Sequence, residues 1–213
     1  MANVDRDALE RAISRTRDYL LEQQHPEGYW IAELESDVSV TAGYIPFMRY
    51  LGVNVGDRGR KVSRVLLDAQ LPDGGWSSYW GGPGNLDVSI QAYLSLKLLG
   101  HVMAEPSMKR AHAFILEQGG IERSNTFTKI MLALFGQYDW ERLPSLPPEL
   151  ILLPTWSPVT IYDCASWARA TIAALSVIVA HQPVHPLSQT EAVEELYSQP
   201  TAEVQRQGSL LWC

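Results

Sequence analysis

Gln70-Leu71-Pro72-Asp73-Gly74-Gly75-Trp76 repeats a pattern met earlier in the chain as Gln24-His25-Pro26-Glu27-Gly28-Tyr29-Trp30. Both segments read Gln, three residues, Gly, one residue, Trp, and their glutamines lie 46 residues apart (24 to 70). A worn third copy, Gln118-Gly119-Gly120, follows another 48 residues on (70 to 118) and lacks the Trp. A recurrence at this spacing fits one pair of helices per repeat.

The flanks of each copy carry helical periodicity. Leu9, Ile13, Thr16 and Leu20 precede the first on one helical face; Val62, Val65, Leu66 and Ala69 precede the second; Met108, Ala111, Phe114 and Ile115 precede the third. Gly and Pro in each motif then turn the chain. A more apolar helix follows each turn. Asp37 leads one that runs to Leu51-Gly52, and Asp87 one that runs to Leu99-Gly100, each with an acid at its start and a glycine past its end. Pro46 should kink or shorten the first of these. Thr126 to Phe135 and Ser166 to Val179 predict two more. Inner helices that are apolar on most faces must be surrounded by protein. The expected fold is therefore all-α, an α-solenoid or, if the stack closes, an αα-barrel. Strand signals are few.

Pro144, Pro147, Pro148 and Pro154 predict a long, partly apolar loop between Trp140 and Pro158, laid over the helices. Residues 1–187 are expected to form the helical domain. Residues 188–213 are expected to be an irregular tail, weakly ordered from about Ser188.

Composition excludes several classes. The 213 residues are 46% hydrophobic and 19% charged, enough apolar content for a globular core. The net charge of −7, with scattered Lys and Arg, argues against nucleic acid. The two cysteines, Cys164 and Cys213, do not suggest a disulfide framework, so a reducing, cytoplasmic setting is expected. The N-terminal stretch has no apolar signal core, and the longest apolar run, Ala170 to Ala180, falls short of the ~20 residues that span a bilayer. Membrane contact is expected to be peripheral at most.

The Gln/Gly/Trp repeats resemble the QW motifs of squalene–hopene and oxidosqualene cyclases. Further likeness lies in Gly81 to Asp87, Gln118 to Glu122, Leu146 to Glu149, Ile161-Tyr162, Ser166 to Thr171 and Gln182 to Pro186. The likeness runs over roughly residues 8 to 198 and points to the bacterial hopene-type branch. It implies part of a two-domain αα-barrel whose cavity folds squalene or a similar isoprenoid for carbocation polycyclisation, without a cofactor. It also implies that Gln24, Gly28, Trp30, Gln70, Gly74 and Trp76 are structural, each Trp packing on its Gln while the amide binds helix-end backbone. Trp167 matches a tryptophan lining the substrate cavity, and Tyr162 is its neighbour candidate. Gly43 and Gln91 stand where the family commonly has Glu, and Asn125 where it commonly has Arg.

That family starts its reaction with an acidic Asp from a D-x-D-D motif, held protonated in a dry pocket, and steadies the cation with aromatic faces. No such motif occurs here. Asp5-Arg6-Asp7 is the only D-x-D pair and reads as helix-start charge. The D-D-x-x-D motif of metal-diphosphate chemistry is absent too. The expectation is an incomplete barrel, inactive alone, completed by a C-terminal half that carries the acid. Because residues 201–213 leave the resemblance, truncation or a frame change is the expected cause. A non-catalytic αα-barrel binding module is the alternative, as is one half of a split cyclase. A prenyltransferase-like subunit would need an Asp, Cys and His zinc set, and none is visible. His181 and His185 have Pro183 between them, so no metal is expected. Arg169 is expected to pair with an acid such as Asp163 or to reach solvent.

Overall fold

A computed structural model describes residues 5–31, 36–154, 156–157 and 160–198. The chain divides into two units, Met1–Glu35 and Ser36–Cys213.

The first unit is α1 (Arg6–Glu22) and the first Gln/Gly/Trp segment. Asp5 caps α1 by accepting from the backbone N–H groups of Asp7 and Ala8, which gives its acidic pair the helix-start role read from sequence. The predicted apolar stripe is present. It is open, however: α1 has no buried residue, and Leu9, Ile13 and Leu20 are each about half exposed.

The second unit is built around α4 (Leu86–Leu98), whose residues from Val88 to Lys97 are buried apart from Gln91. A helix apolar on nearly every face needs neighbours all round. Here they are α2 (Val38–Tyr50), α3 (Gly56–Asp68), α5 (Pro106–Glu117), α6 (Thr126–Leu134) and the two-residue strands β1 (Trp76–Ser77) and β2 (Gly84–Asn85), which pair antiparallel. The outer helices are amphipathic as read. α5 buries Met108, Ala111, Phe114 and Ile115, and α3 buries Leu66 while Val65 faces outward. The prediction that inner helices are fully surrounded holds for α4. It does not hold for α2, where Val40 and Phe47 remain exposed.

Pro46 does not shorten α2, which runs on to Tyr50. A proline frees the carbonyl four residues earlier. That carbonyl belongs to Ala42, fully buried, and the Ser95 hydroxyl of α4 donates to it at 2.6 Å. The defect in one inner helix thus becomes a bond to the next. Both helices end alike: Gly52 and Gly100 take positive φ (68° and 94°), letting the following N–H reach back to Met48 and Leu96 carbonyls.

Asn85, rather than Asp87, caps α4 by accepting from the Val88 N–H, and the Asp87 carboxylate accepts from the Asn125 N–H at 2.7 Å. Asn125 itself caps α6, accepting from the Thr128 N–H. Gln91 donates to the Thr128 hydroxyl at 3.3 Å, tying α4 to α6.

The last helix, α7 (Ser166–His181), lies against 3-10 turns at Pro148–Leu152 and Ile161–Asp163. The proline-rich loop is therefore laid on a helix, as expected, and Trp140 and Leu143 at its start are buried in a cluster with Ile130 and Ala133 of α6. Residues 188–198 are irregular apart from a 3-10 turn at Glu194–Leu196, and they enter the core. Val193 and Leu196 are fully buried, and Ser198 donates to the Glu122 carboxylate. Weak order was expected because the stretch is polar; two apolar side chains suffice to seat it. Residues 199–213 lie outside the described residues. No helix among the described residues is long and apolar enough to cross a membrane.

Candidate functional site

The two intact Gln/Gly/Trp segments fold alike. In the first, Trp30 Nε1 donates to the Leu20 carbonyl at 2.6 Å and Gln24 Nε2 donates to the Gly28 carbonyl at 2.8 Å. In the second, Trp76 Nε1 donates to the Leu66 carbonyl at 2.7 Å and Gln70 Nε2 to the Gly74 carbonyl at 2.9 Å. Leu20 and Leu66 lie in the final turns of α1 and α3, where carbonyls lose their full set of intrahelical donors; Leu20 keeps a 3.2 Å bond from the capping Gln23 N–H. The indole N–H supplies a further donor. In both segments the amide holds the turn closed. In the second segment it also reaches across, Nε2 to the Ser107 carbonyl at 2.9 Å and Oε1 from Arg110 at 2.6 Å, locking α3 to α5. Gly74 has φ +94°, and a Cβ there would lie 2.4 Å from the Arg110 carbonyl oxygen. Only glycine allows α5 to approach so closely.

The copies differ in surroundings. Trp76 is fully buried, whereas Trp30 is 51% exposed.

Trp167 stands in the first turn of α7 and Tyr162 in the 3-10 turn just before it; they are 73% and 66% exposed. Thr160 and Asp163 fix that turn reciprocally: the Thr160 hydroxyl accepts from the Tyr162 N–H, and the Asp163 carboxylate accepts from the Thr160 N–H. Asp163 is thereby occupied and does not pair with Arg169. The Arg169 guanidinium lies 5.8 Å from the Tyr162 ring centroid instead, a cation–π contact. Leu152 and Trp156, in the loop leading to this turn, are also largely exposed. Ring and aliphatic surface is thus exposed around α7 and the loop before it, with Asp163 exposed next to Tyr162. Nothing in the loop's sequence singled out Leu152 or Trp156, because their exposure depends on which side of α7 the loop covers.

A second arrangement escaped the sequence altogether. Lys97 Nζ, 9% exposed, donates to the Glu195 carboxylate at 2.8 Å, and Tyr93 Oη donates to the same oxygen at 2.9 Å. Burial alone would raise the Glu195 pKa, but the bonds from Lys97, backbone and Tyr93 outweigh it and hold the carboxyl below its ordinary range. The Tyr93 phenol is pushed up, chiefly by burial and then by the Glu195 charge. Partners 98 residues apart leave no local signal. Among the described residues no group of His, Cys, Asp and Glu could hold a metal ion. His185 packs its ring 4.3 Å from Tyr50, and His181 Nδ1 faces the Val177 carbonyl of its own helix.

A family profile described as the squalene-hopene cyclase N-terminal domain matches residues 13–210. The match extends past residue 198, where the resemblance was expected to fade. The chain is 44% identical over 194 residues to a squalene–hopene cyclase of Alicyclobacillus acidocaldarius, covering 91% of this chain and 31% of that protein. It is 40% identical over 191 residues to a dammaradiene synthase of Dryopteris crassirhizoma, covering 90% and 28%. A squalene–hopene cyclase of Zymomonas mobilis is 40% identical over 210 residues, covering 97% and 32%. The chain spans about a third of the length of these curated relatives.

Proposed function

The chain belongs to the squalene–hopene cyclase family, and from that premise we propose that it forms part of the wall of a triterpene-cyclising cavity. The exposed rings of Trp167 and Tyr162 carry this reading. Aromatic rings attract a cation through their faces without offering a base that could quench it. An exposed array of rings beside an apolar loop suits a squalene-like chain and the carbocation made from it. On this reading the helix pairs belong to an αα-barrel, and the Gln/Gly/Trp segments act as its ties rather than as chemistry. The acid that starts the reaction is not among these 213 residues. By themselves they would not initiate cyclisation; the proton donor would come from a further segment or a partner chain. Contact with a membrane would be peripheral and would serve delivery of an apolar substrate.

A chimera tests this. Residues 13–198 would replace the matching N-terminal stretch of the Alicyclobacillus acidocaldarius relative, and the product would be incubated with squalene. Cyclised product is expected, with Trp167→Ala lowering the yield or changing the product pattern in the same chimera. A folded chimera that leaves squalene unchanged, or one indifferent to Trp167→Ala, would sink the proposal.

A further inference from the structure

Away from these rings, three polar side chains line up in sequence. Ser63 Oγ lies 2.6 Å from His101 Nε2, and His101 Nδ1 lies 2.6 Å from the Glu105 carboxylate. Glu105 is oriented in turn by the Val102 N–H, which donates to its second oxygen at 3.0 Å. Ser63 comes from α3; His101 follows α4, where its N–H closes the helix on the Leu96 carbonyl; Glu105 precedes Pro106 at the start of α5. Three elements that the fold holds together thus fix the three groups.

The proton positions follow from chemistry. The His101 bond, then the Val102 N–H, hold the Glu105 carboxyl below its ordinary pKa, so it is ionised and can only accept. Nδ1 must therefore carry the proton that faces it. In the neutral ring Nε2 is then the acceptor, and the Ser63 hydroxyl must donate to it. A hydroxyl hydrogen-bonded to a base that a carboxylate orients is the arrangement that activates a nucleophile. The His101 and Glu105 side chains are 20% and 36% exposed, so the group is reachable from solvent.

We infer that Ser63, His101 and Glu105 form an acyl-accepting site independent of cyclisation, with Ser63 the nucleophile, His101 its general base and Glu105 a positioning residue. The substrate class is small aryl esters. Ser63 sits in the interior of α3, where its own N–H is committed to the helix and cannot stabilise an oxyanion. Without that help only an ester with a good leaving group reacts. Ser63 Oγ forms a bond to the ester carbonyl carbon while its proton passes to His101 Nε2. The bond from carbon to the leaving oxygen then breaks, and Nε2 returns the proton to that oxygen. The phenol departs, leaving the acyl group on Ser63, and water can later repeat the attack to release the acid.

The test is p-nitrophenyl acetate on protein carrying Cys164→Ser and Cys213→Ser, since thiols would also take acetyl. Peptide mass mapping should place the acetyl group on Ser63. Ser63→Ala should remove it, and His101→Gln, which keeps hydrogen-bonding capacity but not basicity, should slow acetylation at least about tenfold. Glu105→Gln should slow it less, with an unchanged thermal melt. Acetyl groups scattered over lysines and other serines, or a Ser63 rate indifferent to His101→Gln, would overturn the inference. The mapping on the unsubstituted triad decides even if a variant folds poorly.

Discussion

Trp30 and Trp76 make the same bond, yet their worth should differ because their surroundings do. Trp76→Phe removes the N–H that satisfies the Leu66 carbonyl in a fully buried setting and leaves a polar atom without a partner. The expected cost is about 1–3 kcal/mol. Trp30→Phe exposes the Leu20 carbonyl to water, which can replace the indole, so its cost should stay below about 1 kcal/mol. Urea unfolding of the two variants checks the contrast, and equal losses would refute it. Glu195 offers a larger effect. Glu195→Ala would strand the Lys97 ammonium in an almost closed site, at about 3 kcal/mol. Pairing it with Lys97→Met should recover most of that loss, and a double variant no better than Glu195→Ala would show that the buried charge is not the cause.

Two elements invite tests of their own. Gly43 lies inside α2 with helical backbone, and a Cβ there would meet no atom within 4 Å. Gly43→Ala should therefore raise stability by up to about 1 kcal/mol through the entropy of the unfolded chain, seen as a higher melting temperature. The other element is the strap formed by residues 188–198. Glu191 and Glu195 both tie it down. Burial would raise the Glu191 pKa, but Ser188 and Arg49 overcome it and lower it, as Lys97 does for Glu195. Carboxyls with depressed folded pKa stabilise above their unfolded value of about 4.3, and that stability is lost as pH falls through the folded values beneath it. Urea midpoints should therefore be steady near neutrality and drop below roughly pH 4. Glu195→Gln should flatten the decline; an unchanged acid profile in that variant would remove Glu195 from the account.

At the scale of the whole molecule, the apolar side chains left outside are the main property. In the larger unit, α2 exposes Val40 and Phe47, and Trp156 and Trp167 stand in solvent. Surfaces of this kind associate. In detergent-free buffer the chain should self-associate with rising concentration, and mild detergent should restore the monomer. Analytical ultracentrifugation decides, and a clean monomer at all concentrations would count against it. Much of this architecture was legible beforehand. The recurring Gln, Gly and Trp marked the turns, the apolar periodicity marked helices α1, α3 and α5, and the starting acid and closing glycine marked α4, because these signals are carried by residues close together in the chain. The same locality let the capping residues Asp37 and Asn125 act where the helix starts were read or lay nearby. The sequence by itself therefore determined the helical segments, the family and the absence of a D-x-D-D motif from these residues. Only the tertiary structure decided that Ser95 serves the carbonyl freed by Pro46, that Lys97 and Tyr93 hold Glu195, and that Asp163 caps its own turn and leaves Arg169 to Tyr162. The first two pair residues far apart along the chain, and the third turns on side-chain directions around a short turn. Those choices are made by packing, which no local pattern encodes.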